Sequence, residues 1–513
     1  MARINYLDGT YDGDVKNGEA HGYGKVTFNN GNSYEGMFSD GQLSGLGTYR
    51  FANGNKYFGM FKMGGKHGRG RTKYANGDKH VGKYAHDLYH GRGRYAWNDG
   101  ARYVGQYFGG YRTGKGKYVD KSGVKEIGSF YDGLLHGKGV QITSKGDRFE
   151  GDFYYGLMHG YGKKTFADGS VISGIFVFGI HFKDAVFKTV KLKNGDTYQG
   201  YFARGAANGP GTLYDRSGKK VYEGQFVDGE MFGIGTYWYD SGQVYTGSFY
   251  RGIRQGIGKQ RYENRDEYYG LWHNDFPCGF GVYKYKNGDR HYGNFVDDEI
   301  HGWGIETSLD GRATLGVWRK NSYVGNPKSD DVNYKDGAKY SGGLIGGKSC
   351  GLGSIVYANG NKYSGEWMDH EFSGHGTYNY TDGTEYSGFY IDSKRTGYGS
   401  MTWKNGDRYD GDFWDGKRTG IGRYSFKNGD YYSGEFIDGK RTGYGAYVFA
   451  SGEIYRGKFV DGVIDGFGEL YYNDGSNYVG EFKDGKKHGE GCYTLSNGTV
   501  QRGKFKNGAY IGK

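Results

Sequence analysis

The sequence predicts an all-β protein, an elongated, twisted, single-layer antiparallel sheet built from about 22 tandem β-hairpins. Three observations carry that reading. Glycine supplies 103 of the 513 residues, tyrosine 54 and proline 3, where ordinary domains hold about 7% glycine and 5% proline. The segment Tyr34-Glu35-Gly36-Met37-Phe38 returns 23 residues later as Tyr57-Phe58-Gly59-Met60-Phe61 and keeps that interval over most of the chain. Asn-Gly or Asp-Gly pairs recur between the repeats, a hairpin signal.

Within one unit the order is Tyr-x-Gly-x-Phe, a turn glycine, Gly-x-Gly, an aromatic near the strand end, then Asn-Gly or Asp-Gly. The alternation through Tyr-x-Gly-x-Phe has the period of two that a strand requires. The pairs Asn53-Gly54, Asn76-Gly77, Asp99-Gly100, Asn405-Gly406 and Asn428-Gly429 turn one strand into the next. Helix is nearly absent from this reading, because glycine recurs throughout the repeats. Units start at 11, 34, 57, 80, 103, 126, 149 and 172, then at 198, 222, 245, 268, 291 and 314, and finally every 23 residues from 340 to an incomplete copy at 501. Seven starts lack the tyrosine (His80, Glu126, Phe149, Ile172, His291, Thr314, Gln501), yet each keeps the glycine two residues on.

Composition excludes several classes. Glycine follows no third-residue period and proline is nearly absent, which excludes collagen. An aromatic content of 18% argues against disorder. Mean hydropathy is −0.82, no stretch approaches the ~18 apolar residues of a membrane span, and Met1-Ala2-Arg3-Ile4-Asn5 opens no signal peptide. A soluble cytoplasmic protein is expected. Cys278, Cys350 and Cys492 form no C-x-x-C pair, consistent with a reducing compartment, no disulfide framework and no zinc site.

Two longer intervals, from 172 to 198 and from 314 to 340, divide the chain into a repeat block at 1–176, an irregular break at 177–197, a block at 198–318, an irregular loop at 319–339 and a block at 340–513. Around the first break Val177-Phe178-Gly179-Ile180-His181-Phe182 replaces the Gly-x-Gly strand, and Asn321 to Asp331 reads as a loop. Decayed repeats and bends or partner-docking points are both open readings. Neither terminus shows a capping helix, and open sheet edges invite pairing, so an edge contact with a second copy or a partner is expected at one end.

The pattern Tyr-x-Gly-x-Phe/Trp-x-x-Gly-x-x-x-Gly-x-Gly resembles the MORN (membrane occupation and recognition nexus) repeat, over about residues 11–513. The resemblance implies a stack of β-hairpins in a twisted ribbon. Members of that family include radial-spoke and parasite cytoskeletal proteins, junctophilins, and plant phosphatidylinositol phosphate kinases in which the repeats precede another domain. With strands ~4.8 Å apart, each unit advances the ribbon ~10 Å, and the whole would span roughly 200 Å. Its stability should come from aromatic contacts between neighbouring strands and repeats.

The formal charge of +11 is unevenly placed: from Lys56 to Lys117 there are 14 Lys/Arg against three acids, Asp78, Asp87 and Asp99. Arg69, Arg92 and Lys115 are 23 apart, as are Arg71, Arg94 and Lys117. Residues i and i+2 share a strand face, so these six cations are expected to form one ladder that binds an anionic partner. The alternative is a solvated face. Acidic tubulin tails or anionic lipid headgroups fit such a ladder; nucleic acid fits least, because no helix is available to enter a groove. A second basic row, Lys394-Arg395, Lys417-Arg418, Lys440-Arg441 and Lys486-Lys487, has aspartates nearby (Asp392, Asp415, Asp438, Asp484), and local pairing is expected there.

Other motifs carry less. Gly342 to Ser349 satisfies the phosphate-loop pattern G-x-x-x-x-G-K-[ST], but its glycines are those of the repeat and no helix follows, so the match is read as coincidental and no cofactor is expected. Histidines precede a glycine of Gly-x-Gly at His21, His67, His90, His136, His159, His301 and His488. Neighbouring members lie ~10 Å apart, too far to share an ion held at ~2.0–2.1 Å, and a structural turn position is expected. No nucleophile, base and acid converge in a concave pocket, so no enzyme is expected. The sequence thus points to a non-enzymatic scaffold of the cytoskeleton, in a cilium, flagellum or related microtubule structure, contacting other structural proteins such as tubulin or axonemal subunits. The alternative is a membrane-tethering module that docks on anionic phospholipid through Arg69, Arg71, Arg92, Arg94, Lys115 and Lys117.

Overall fold

Glycine and tyrosine occupy fixed places in each hairpin, and the computed structural model shows why. It describes residues 2–6, 9–62, 64–85, 87–131, 133–310 and 312–512. Among them there are strands and turns and no helix. The strands form three antiparallel sheets of 17, 13 and 17 strands, none closed into a barrel. The chain divides into two units, Met1–Gly156 with Lys163–Ser173, and Leu157–Gly162 with Gly174–Lys513.

The repeat beginning at Tyr34 illustrates the first unit. Strand Ser33–Ser39 pairs with Gln42–Arg50, and Gly36 lies opposite Gly47. Tyr34 lays its ring across both glycines, where a Cβ on either would overlap it. The phenol donates to the Met37 carbonyl at 2.9 Å, and the ring meets Phe38 and, in the next repeat, Phe61 edge-on at 5.1 and 4.9 Å. Tyrosine is therefore fully buried in a sheet one layer thick, because glycine on two strands makes room for it. Edge-on pairs of this kind are worth about 0.5–1.5 kcal/mol beyond area burial, and here they run from repeat to repeat. The register slips by a bulge just after Gly36, with Gly45 at φ 56° on the opposite strand.

Two turns close each repeat, and they differ. The tight hairpin falls after the Tyr-x-Gly-x-Phe strand, as at Asp40-Gly41, where both residues have positive φ, the two-residue type that matches strand twist. At Asn53-Gly54 only the glycine is left-handed, and the loop is wider. Its next residue, Asn55, accepts the Ala75 amide of the following turn at 2.9 Å, which stacks turn on turn.

The breaks are more regular than the sequence suggests. Ile180–Phe182 folds back to pair with Ile175 to Val177, and Val186–Lys191 opens the second sheet beside Thr197–Ala203. Likewise Ser322–Gly325 pairs with the strand before it, and Lys328–Asn333 opens the third sheet beside Lys339–Ile345. The expected loop at 319–339 is thus two short strands joined by Asn326-Pro327. Lys328–Asn333 reads as a loop because an edge strand can be polar at every position but Val332, which packs against the tyrosine row.

Each sheet is one layer, but in the second unit two of them lie against each other. Asn294 donates to Glu366 at 2.6 Å, Arg251 pairs with Glu435 at 3.0 Å, and Lys458 pairs with Asp228 at 2.9 Å. His273 stacks on Trp414 at 3.9 Å, and the Arg204 guanidinium sits between Phe182 and Phe467. Positions rise in one sheet as they fall in the other, so the chain folds back antiparallel about Asn326-Pro327. The apposed faces are those opposite the tyrosines. Of the middle residues of Gly-x-Gly, Phe280, Ile421 and Tyr444 are buried there, and Ile234, Ile257 and Trp303 half-buried.

Candidate anionic-partner face

In the first unit the face opposite the tyrosines carries the ladder. Arg69 and Arg71 stand on Gly65–Lys73, Arg92 and Arg94 on Leu88–Ala96, and Lys115 and Lys117 on Tyr111–Val119. All six are exposed. Strand pairing places them in two rows. One runs Phe58, Arg71, Val81, Arg94, Val104, Lys117, Ile127, each residue opposite the next. In the other, Arg69 lies opposite Lys83, Arg92 opposite Gln106 and Lys115 opposite Ser129. The structure therefore puts all six on one face, separated by intervening strands. Lys115 donates to Ser129 at 3.0 Å and the Arg71 guanidinium lies 5.0 Å from the Phe58 ring centre. None of the six forms an ion pair among the described residues.

A third row lies beside these: Lys56 opposite Lys73, Lys73 opposite Lys79, Lys79 opposite Ala96, Ala96 opposite Arg102. Sequence reasoning missed it, although Lys56, Lys79, Arg102, Lys125 and Arg148 are themselves 23 apart. The acids of this stretch lie elsewhere. Asp78 accepts from Tyr95 and the Asn98 amide in the turn stack, and Asp87 takes the Lys66 amide. On the strands from Lys56 to Val119 this face holds no carboxylate. It also exposes aliphatic side chains between the cations, with Val81 56% and Val104 43% accessible.

In the second basic row three lysines are paired with aspartates, while Lys487 lies over the Tyr493 ring. Lys417 reaches Asp438 at 3.1 Å and Lys440 reaches Asp461 at 3.2 Å, while Lys394 pairs with Asp415 at 2.5 Å. The partner is an aspartate one turn further on. Arg418 and Arg441 lie over the tyrosine row and donate to the Gly439 and Gly462 carbonyls at 2.8 Å.

The phosphate-loop match forms a hairpin. Lys339–Ile345 and Lys348–Val356 pair across the Gly346-Gly347 turn, Lys348 lies 3.8 Å from Asp369, and Ser349 is buried. The histidines sit on strands, each followed by a positive-φ glycine at a bulge, so the expected turn position is a bulge instead. Burial lowers the His67 and His90 imidazoles, and takes His159 down to about 3. His80, which replaces a tyrosine, is held at 2.8 Å by Tyr84, and burial pushes it to about 3.

The sequence pattern did not disclose the carboxylates between the two sheets of the second unit. Glu366 accepts the His375 amide at 3.1 Å, Asp412 the Ile421 amide at 3.3 Å and Glu435 the Tyr444 amide at 2.6 Å, nine residues on in each case. Burial raises Glu366 and Asp412 to about 7.

A family model described as the MORN repeat matches this chain eighteen times, over residues 11–33 to 149–171, 198–220 to 268–290 and 340–362 to 478–500. The chain belongs to the MORN-repeat family. The starts at 172, 291, 314 and 501 fall outside the matches, and all four lack the tyrosine. In the structure His291 keeps that buried place and meets Trp318 edge-on at 4.8 Å, so the MORN hairpin survives the change. Among curated proteins none matches. Among solved structures, the SAS-4 (dCPAP) TCP domain of Drosophila melanogaster, in complex with a proline-rich motif of Ana2, is 15% identical, covers 34% of this chain and 90% of its own, and gives a TM-score of 0.21. The TCP10 domain of Danio rerio CPAP, in complex with a STIL peptide, is 12% identical with 45% and 96% covered and a TM-score of 0.17. Virginiamycin B lyase from Staphylococcus aureus is 12% identical with 62% and 94% covered and a TM-score of 0.11. At these scores none bears on function.

Proposed function

We propose that this MORN-repeat protein is a non-enzymatic scaffold of the cytoskeleton, and that the first unit docks an anionic protein partner through Arg69, Arg71, Arg92, Arg94, Lys115 and Lys117. MORN repeats are consistent with a repeat-based scaffold or a membrane-binding module. The observation that supports a docking role is the face itself, with cations in register on successive strands and no carboxylate among them from Lys56 to Val119. On a thin sheet a merely solvated face intersperses both signs, as the third sheet does where Arg408 pairs with Asp410 and Arg456 lies opposite Glu469. Cytoplasmic placement in a cilium or flagellum belongs to the same proposal.

The test replaces the six ladder residues by glutamine in the full chain. These side chains do not touch the tyrosine core, so the fold should be unchanged by circular dichroism. In detergent-extracted cells the parent protein should stay on the microtubule skeleton and the variant should leave it. Retention of the variant refutes the ladder. Release of the parent protein together with the membranes favours a lipid-docking module instead, whose attraction, about 1 kcal/mol per basic residue, should fade as salt rises.

A further inference from the structure

The second unit shows what covers such a face in this chain. There the surface opposite the tyrosines is met by the same surface of another sheet, with Gly-x-Gly middle residues such as Phe280, Ile421 and Tyr444 buried between them. Ion pairs and hydrogen bonds fix the register, each crossing from one sheet to the other: Arg251 with Glu435, Lys458 with Asp228, Asn294 with Glu366. In the first unit the equivalent middle residues are Tyr23, Leu46, Arg69, Arg92, Lys115 and Lys138, all exposed. A second copy of that face would set cation against cation.

We propose that the first unit's outer face is covered by an acidic β-sheet of a partner protein, packed on it as the third sheet packs on the second. This rests on the reading of that face as a docking site for anions, and names the partner's form. The chemistry calls for carboxylates opposite the ladder and small apolar side chains opposite Val81 and Val104, which stand exposed between the cations, and Ile127, exposed at the end of the row. Twist selects a sheet over a planar surface. Adjacent strands rotate by roughly 20°, so the seven strands from Lys56–Lys62 to Lys125–Tyr131 accumulate roughly 120°. A flat bilayer reaches a few of those strands at once, whereas a second twisted sheet follows them all.

The partner's chemistry can be supplied by the protein itself. A full-length variant carries glutamate at the six ladder positions and at Lys79 and Arg102, with its fold checked by circular dichroism; if it fails to fold, reversal of Arg92, Arg94, Lys115 and Lys117 alone replaces it. Mixed with the parent protein in a sedimentation experiment, the variant should form a one-to-one complex that neither protein forms alone. The complex should weaken steeply with salt, and at least tenfold when Val81, Val104 and Ile127 of the parent are changed to serine. A folded variant that forms no complex overturns the proposal, as does a complex indifferent to the three serines, which would be a loose ion contact. Vesicles containing phosphatidylserine form the second arm. Parent protein that binds vesicles but not the variant leaves the ladder standing and overturns the sheet partner. Binding to neither removes both.

Discussion

Tyr34 does in one repeat what its equivalents do along the array: it occupies space that Gly36 and Gly47 leave empty, and returns a hydrogen bond to the backbone of its own strand. The two sides of the sheet should therefore respond differently to small changes. Gly47→Ala puts a methyl group into the Tyr34 ring and should cost about 1–3 kcal/mol, as overpacking does. Its neighbour Leu46, exposed on the other side, should tolerate serine within about 0.5 kcal/mol. Denaturant unfolding of both variants measures the contrast. Glu366 offers a second test. Its folded value, about 7, lies above the ordinary 4.5 of a glutamate because burial disfavours the charged form, and the Asn294 amide and His375 N–H offset that only in part. A carboxyl raised on folding favours the folded state below its unfolded value, and that contribution is lost as pH rises through about 7. Glu366→Gln should flatten the pH dependence between about 4.5 and 7 and raise protection at pH 8, read by amide exchange in Lys362–Met368.

At the scale of elements, strand alternation sets the residue after each Tyr-x-Gly on the face opposite the tyrosines, and the seam of the second unit uses it. There Glu435 accepts both its own sheet's Tyr444 amide and, from the facing sheet, Tyr250 and Arg251. Glu435 is only 1% accessible, so each donor matters. Tyr250→Phe and Arg251→Ala should each cost about 1.5–3 kcal/mol, the range for hydrogen bonds to charged groups. Because both serve one carboxylate, the double variant should depart from the sum of the two. Exchange in Tyr431–Ile437 reports both effects.

Over the whole molecule, the hairpin and its period were legible from Tyr-x-Gly-x-Phe and Gly-x-Gly, since tyrosine needs glycine on both strands of its hairpin. The ladder was legible for the same reason: identical register positions return to one face. The folding of the second sheet onto the third was not, because no repeat shows that Ile421 or Tyr444 meets another layer; an apolar residue between two glycines looks alike whether covered or bare. Lys328–Asn333 was hidden by its polarity, and the row of Lys56, Lys79 and Arg102 by its place at the strand ends. What the repeat does hold constant is sidedness. One bulge and two turns in 23 residues bring the chain back facing the same way, so duplication of a complete unit in the first 156 residues would lengthen the basic surface by ~10 Å and replace the contacts it interrupts with contacts of the same kind. Loss of a single residue inside a strand would instead drive arginines into the tyrosine stack. Such an array can therefore change its reach by gene duplication, in whole steps, and its choice of partner by substitution, without either change disturbing the other.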